Sequence, residues 1–99
     1  MIYEIAEIEI TPGSDQAFQD AMQQASQHFR KAQGCRSLKL ERSIEQPLCY
    51  FLIVGWDSIE DHMDTYRNSK EYEICRDLTS PYFACPPKVQ HVRRVLEAF

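Results

Sequence analysis

The 99-residue chain has no apolar run approaching the roughly 18–20 residues of a membrane-spanning helix. It has three glycines, at positions 13, 34 and 55, too dispersed for a Gly-rich phosphate loop. A GxSxG nucleophile elbow is also missing. The four cysteines, at 35, 49, 75 and 85, contain no CxxC pair, so no zinc or dithiol redox site is expected. No His, Cys, Asp or Glu residues recur at a ligand spacing on one buried helical face, and no metal is expected. Basic residues are outnumbered 11 to 15 by acidic ones and never gather into a dense patch. Nucleic-acid binding, which needs such a patch to release counterions, is excluded. The N-terminus alternates apolar and acidic residues, unlike the basic-then-apolar opening of a secretory signal. From these absences a cytoplasmic protein is expected, with reduced thiols, no membrane and no nucleic-acid partner.

What is present fills one domain, residues 1–99, with a modest core. Residues 2–10 alternate, with Ile2, Glu4, Ala6, Ile8 and Ile10 on one face and Tyr3, Ile5, Glu7 and Glu9 on the other, which predicts a strand. After the Thr11-Pro12-Gly13 turn, Ser14 caps a helix whose inner stripe is Phe18, Ala21, Met22, Ala25, Phe29 and Ala32. Gly34 ends it. Residues 35–44 predict a second strand, with Leu38 and Leu40 on one face. Residues 48–56, LCYFLIVGW, predict a third that is apolar on both faces. Ser58, with Asp61 three residues on, opens a second helix with Ile59, Met63 and Tyr66 or Arg67 on its stripe. Ser69 caps a further helix whose inner face carries Tyr72, Cys75 and Arg76. A proline-bounded loop follows, and residues 88–96 alternate again as a last strand.

The order is βαββαβ, an α+β fold of ferredoxin-like type with a four-stranded antiparallel sheet. Right-handed crossovers put both helical segments on one face of the sheet. The other face is also apolar in the third strand, so a second subunit packed sheet-to-sheet is expected: a homodimeric α+β barrel.

Several runs carry a resemblance. They are Gly34-Cys35, Leu38-Lys39-Leu40, Arg42-Ser43, Trp56-Asp57-Ser58, Glu60-Asp61-His62, Tyr66-Arg67, Tyr72, Arg76, Pro86-Pro87, Val89 and His91. Together they resemble the antibiotic biosynthesis monooxygenase domain family, over essentially the whole chain. The resemblance implies the dimeric α+β barrel and, among several activities, cofactor-free oxygenation of quinol- or anthrone-type compounds. Haem-degrading relatives use Asn, Trp and His at positions that align here with Ala6, Tyr66 and Arg76, so haem degradation is not expected.

Oxygenation without a metal or flavin needs a base, apolar aromatic walls and a donor for the developing oxyanion. Imidazole, with an ordinary pKa of about 6.5, suits the first role. His62 is expected as the base, with Trp56, Tyr66 and Tyr72 as walls and Arg76 or His91 as polar anchor. The small-molecule pocket then lies between the sheet and the second helix, and no cofactor is required. Each residue also has a structural reading: core packing for Trp56 and the tyrosines, a packed interface histidine for His91, and pairing with Glu73 or Asp77 for Arg76. His28 reads as a histidine at a helix end. Glu7 and Glu9 read as cross-strand partners of Arg93, Arg42 or Lys39. A non-enzymatic ligand-binding or sensor dimer with the same pocket is the alternative function.

Overall fold

Alternation in β1 (Ile2–Glu9) turns Ile2, Glu4, Ala6 and Ile8 to one side of the sheet, and all four are buried there. In a computed structural model of residues 1–99, β1 lies at the centre of a four-stranded antiparallel sheet. The others are β2 (Cys35–Arg42), β3 (Cys49–Trp56) and β4 (Lys88–Val92), in the order β2-β3-β1-β4. Both α1 (Asp15–Lys31) and α2 (Lys70–Thr79) pack on one face of it. The architecture is the βαββαβ α+β fold that the patterning predicts.

Phe18, Met22, Ala25 and Phe29 of α1 meet Ile8, Tyr50, Leu52 and Val54 of the sheet in one buried cluster. Phe18 tilts onto Tyr50 with ring centroids 4.9 Å apart, a geometry favoured by the ring quadrupoles. Ser14 occupies the cap position of α1, but its hydroxyl bonds Thr11 Oγ1 at 2.5 Å and makes no cap to the helix backbone. His28 does more than sit at a helix end: its Nδ1 is 2.5 Å from Glu71 Oε2, which ties α1 to α2.

Gly34 has φ +79°, and a Cβ added there would collide with the Asp61 side chain. Gly13 has φ +82° but open space around it. Gly13→Ala should therefore cost about 1 kcal/mol, the ordinary left-handed penalty. Gly34→Ala should cost roughly 2–3 kcal/mol, because the same strain adds to a clash. Urea midpoints of the two variants check this ordering.

Three expectations need correction. The last strand stops at Val92 rather than 96, because only Lys88 to Val92 find partners on β1. Glu7 pairs not with Arg93, Arg42 or Lys39 but with Lys88 opposite it, at 3.9 Å, and Arg42 reaches Asp15 instead. The segment after Ser58 does not bury Ile59 and Met63. Both are exposed, while His62 and Tyr66 point inward. Residues Asp61–Tyr66 form a turn of π-helix, in which Arg67 N–H bonds His62 C=O five residues back. The inner stripe is carried by His62 and Tyr66, one turn apart, and not by Ile59 and Met63. Turns of π-helix concentrate at functional sites.

The sheet face away from the helices carries Tyr3 and Ile5 of β1 beside Phe51 and Ile53 of β3, all only half-buried. No helix is long and apolar enough to cross a membrane.

Candidate active site

The site begins with a carboxylic acid in an apolar position. Glu4 falls on the helix-facing side of β1, where it lies opposite Val54 on β3 and His91 on β4. It is 5% exposed. Trp56, the last residue of β3, shares that face. It is fully buried and donates from Nε1 to Glu4 Oε1 at 3.1 Å.

The π-helical turn lays the His62 ring on the Trp56 indole, with centroids 5.1 Å apart and planes 16° from parallel. This places His62 Nε2 3.2 Å from Glu4 Oε1. The other ring nitrogen, Nδ1, is hydrogen-bonded to His91 Nε2 at 2.8 Å. The assignment of protons follows from these neighbours: with Glu4 ionised, Nε2 carries hydrogen toward the carboxylate and Nδ1 accepts from His91.

Burial dominates the electrostatics. It pushes the Glu4 carboxyl up from its ordinary range, partly offset by the Trp56 hydrogen bond and the nearby Arg67 charge. It drives His62 down to about 4, with the charge of Arg67 and the neighbouring His91 acting in the same direction. The expectation of an imidazole poised near neutrality at position 62 is therefore corrected. His62 is a neutral imidazole at neutral pH, and both its nitrogens face protein groups.

Glu4 Oε1 takes both contacts, while Oε2 makes no hydrogen bond. The only sealed polar side-chain atom without a partner is the Tyr66 hydroxyl, so the unpartnered Oε2 is open to the space beside it. Burial holds the Tyr66 phenol far above its ordinary pKa and keeps it neutral.

That space is a cavity of about 390 Å³ between the sheet and α2, with its wall completed by Met22 and Phe29 of α1. Its size and mixed lining fall within the range of small-molecule sites, and about 150 Å³ is enough for benzene. Of the residues expected at the site, His62, Tyr66, Tyr72 and Arg76 line it. Trp56 and His91 do not: Trp56 lies behind Glu4 as a buried support, and His91, half-buried on the helix-facing side of β4, touches His62 from behind. Neither histidine faces the open side of the sheet.

Sequence reasoning missed Glu4 and Arg67, which also line the cavity. The signal for Glu4 was present, because an acid in register with Ile2, Ala6 and Ile8 has to be buried. Arg67 follows the π-helical turn directly and lines the same wall. Its guanidinium lies 5.3 Å and that of Arg76 5.8 Å from the Tyr72 ring centroid, so two cations flank one aromatic wall. Arg76 has a loose contact to Asp77 at 3.4 Å, whereas Arg67 pairs with no carboxylate. No three His, Cys, Asp or Glu side chains converge as a metal site.

A family model described as antibiotic biosynthesis monooxygenase matches residues 1–78. The crystal structure of a Bordetella bronchiseptica protein bearing that family's name is 40% identical. It superposes with a TM-score of 0.94 over 96% of this chain and 97% of the other. An uncharacterised Bacillus subtilis protein, YczJ, is 32% identical over 95 residues, which is 96% of this chain and all of YczJ. A Nitrosomonas europaea protein of the same family name shares the fold at TM-score 0.82 with 16% identity, over 95% of this chain and 89% of its own. The chain belongs to the antibiotic biosynthesis monooxygenase family.

Proposed function

We propose that this protein is a cofactor-independent monooxygenase of small aromatic compounds of quinol or anthrone type. The observation that carries the reading is the apolar cavity of about 390 Å³ with a buried carboxylate, backed by two imidazoles, on its floor. Such a substrate supplies its own electrons once deprotonated. An anthrone methylene loses a proton to the protein, and its carbanion reduces O2 and captures one oxygen atom. The carbon becomes a carbonyl, and the other oxygen leaves as water with the two substrate hydrogens.

The site provides what this requires. Met22, Phe29, Leu52 and Val89 exclude water from the ring. Arg67 and Arg76 lie where negative charge on a substrate oxygen would be stabilised, and fixed donors of this kind contribute much of the acceleration in comparable reactions. Tyr72 offers a face for stacking between them. A second copy of the chain, seated on the half-buried Tyr3, Ile5, Phe51 and Ile53, completes a dimeric barrel in this reading, as is common in the family.

Oxygen-electrode assays with a panel of hydroquinones and anthrones test the proposal. Turnover by the wild type is expected. In Arg67→Gln, kcat should fall by about 10²-fold or more, the usual loss of one oxyanion donor. Tight binding of these compounds with no oxygen uptake and no chemical change would leave a binding module in place of an enzyme.

A further inference from the structure

We infer that Glu4 is the general base of this site, taking the substrate proton on Oε2, and that Trp56, His62 and His91 are residues that position it. This rests on the reading of the cavity as a site for a weakly acidic aromatic compound, but not on the fate of oxygen.

The geometry separates the carboxylate's two oxygens. Oε1 is held by Trp56 Nε1 at 3.1 Å and faced by His62 Nε2 at 3.2 Å. Oε2 is unpartnered and open to the cavity. His62 cannot take that role, because its Nδ1 is bonded to His91 and its Nε2 faces Oε1. His91 fixes the His62 tautomer, His62 and Trp56 fix Oε1, and the carboxylate is thereby aimed. A base buried among apolar side chains is stronger than the same group in water, which suits it to weak carbon and phenol acids. In the step, a substrate C–H bond breaks and an O–H bond forms on Oε2. The electron pair stays on the substrate, delocalised into its carbonyl, so no oxidant is involved.

The titratable groups facing Glu4 are His62 and Tyr66 from the π-helical turn, Arg67 beyond it, His91 from β4 and Cys35 from β2. Tyr66 and Cys35 are held neutral by burial, Cys35 at about 11. Glu4 and His62 are the groups left to shape an acid limb.

The test is deuterium exchange into the methylene of anthrone, in D2O without oxygen, followed by proton NMR. Wild-type protein should accelerate exchange, and Glu4→Gln, which keeps the acceptor for Trp56 but loses the basic oxygen, should slow it about 10²–10⁴-fold. Glu4→Asp should recover part of the rate. The wild-type rate should rise with pH through a limb above the ordinary carboxylate range. His62→Gln should move the midpoint of that limb, which a merely structural role would not do.

Equal exchange by wild type and Glu4→Gln overturns the inference, as does no exchange by the wild type. A limb that survives in Glu4→Gln and vanishes in His62→Gln also overturns it, since it would name His62 as the base. Exchange by the wild type without oxygen uptake in air keeps Glu4 as base and removes the monooxygenase reading. Oxygen uptake undiminished in Glu4→Gln does the reverse.

Discussion

Trp56→Ala should lose about 3–5 kcal/mol of stability, the range for deleting a buried large aromatic side chain. The indole is wholly buried. It stacks on His62 and lies 5.3 Å from the Tyr66 ring and 6.4 Å from the Phe29 ring. Its removal opens a void at the junction of β3, α1 and the π-helical turn, and leaves Glu4 Oε1 without its strongest donor. A domain of this size has only about 5–15 kcal/mol in total, so the variant should sit near the edge of folding at 37 °C. Trp56→Phe separates the two effects. It refills most of the volume and should cost less, but it still removes the hydrogen bond and should push the Glu4 carboxyl further up. Urea midpoints at pH 7 check the first statement, and the pH dependence of the midpoint checks the second.

The second large effect is a pair of opposed titrations. His62 is held at about 4 in the folded chain against about 6.5 when unfolded. Between those values the unfolded chain binds a proton that the folded one refuses, so stability is lost as pH falls. By linkage the loss is on the order of 3 kcal/mol and is complete near pH 4. Glu4 acts the other way. Its folded pKa lies above its unfolded value, so its contribution is fully present in acid and is lost as pH rises through the folded pKa. The wild type should therefore show a muted dependence between pH 7 and 4. Glu4→Gln should uncover the full acid loss from His62, and His62→Gln should reverse the slope, with stability rising as pH falls. Urea midpoints at pH 7, 5.5 and 4 for the three proteins distinguish these outcomes. Parallel curves would show that neither group is tuned by burial.

Much of the architecture was legible because the relevant patterns are local. The period-two run of residues 2–10, the Phe18–Phe29 stripe and the doubly apolar 48–56 strand each announce their element by side-chain spacing alone. Chain order and the handedness of crossovers then leave few topologies. The site was legible in part. His62, Tyr66, Tyr72 and Arg76 were assigned to the cavity from their neighbourhood in sequence and do line it. Their roles were less accessible, since a helical wheel cannot anticipate a π-helical turn. In the segment that holds this turn, Ile59 and Met63 are exposed, His62 and Tyr66 are buried, and Arg67 lines the cavity.

Glu4 shows where local pattern ends. Alternation placed an acid on the buried face, and that much is independent of the rest of the chain. What the acid does there depends on Trp56, 52 residues away, on His62 above it and on His91 beside it. Burial, the direction of its pKa, and the division of its oxygens into one held and one free all arise from those distant groups. Elements follow from residues a few positions apart, whereas the protonation and aim of a buried side chain follow from whatever the folded chain packs against it.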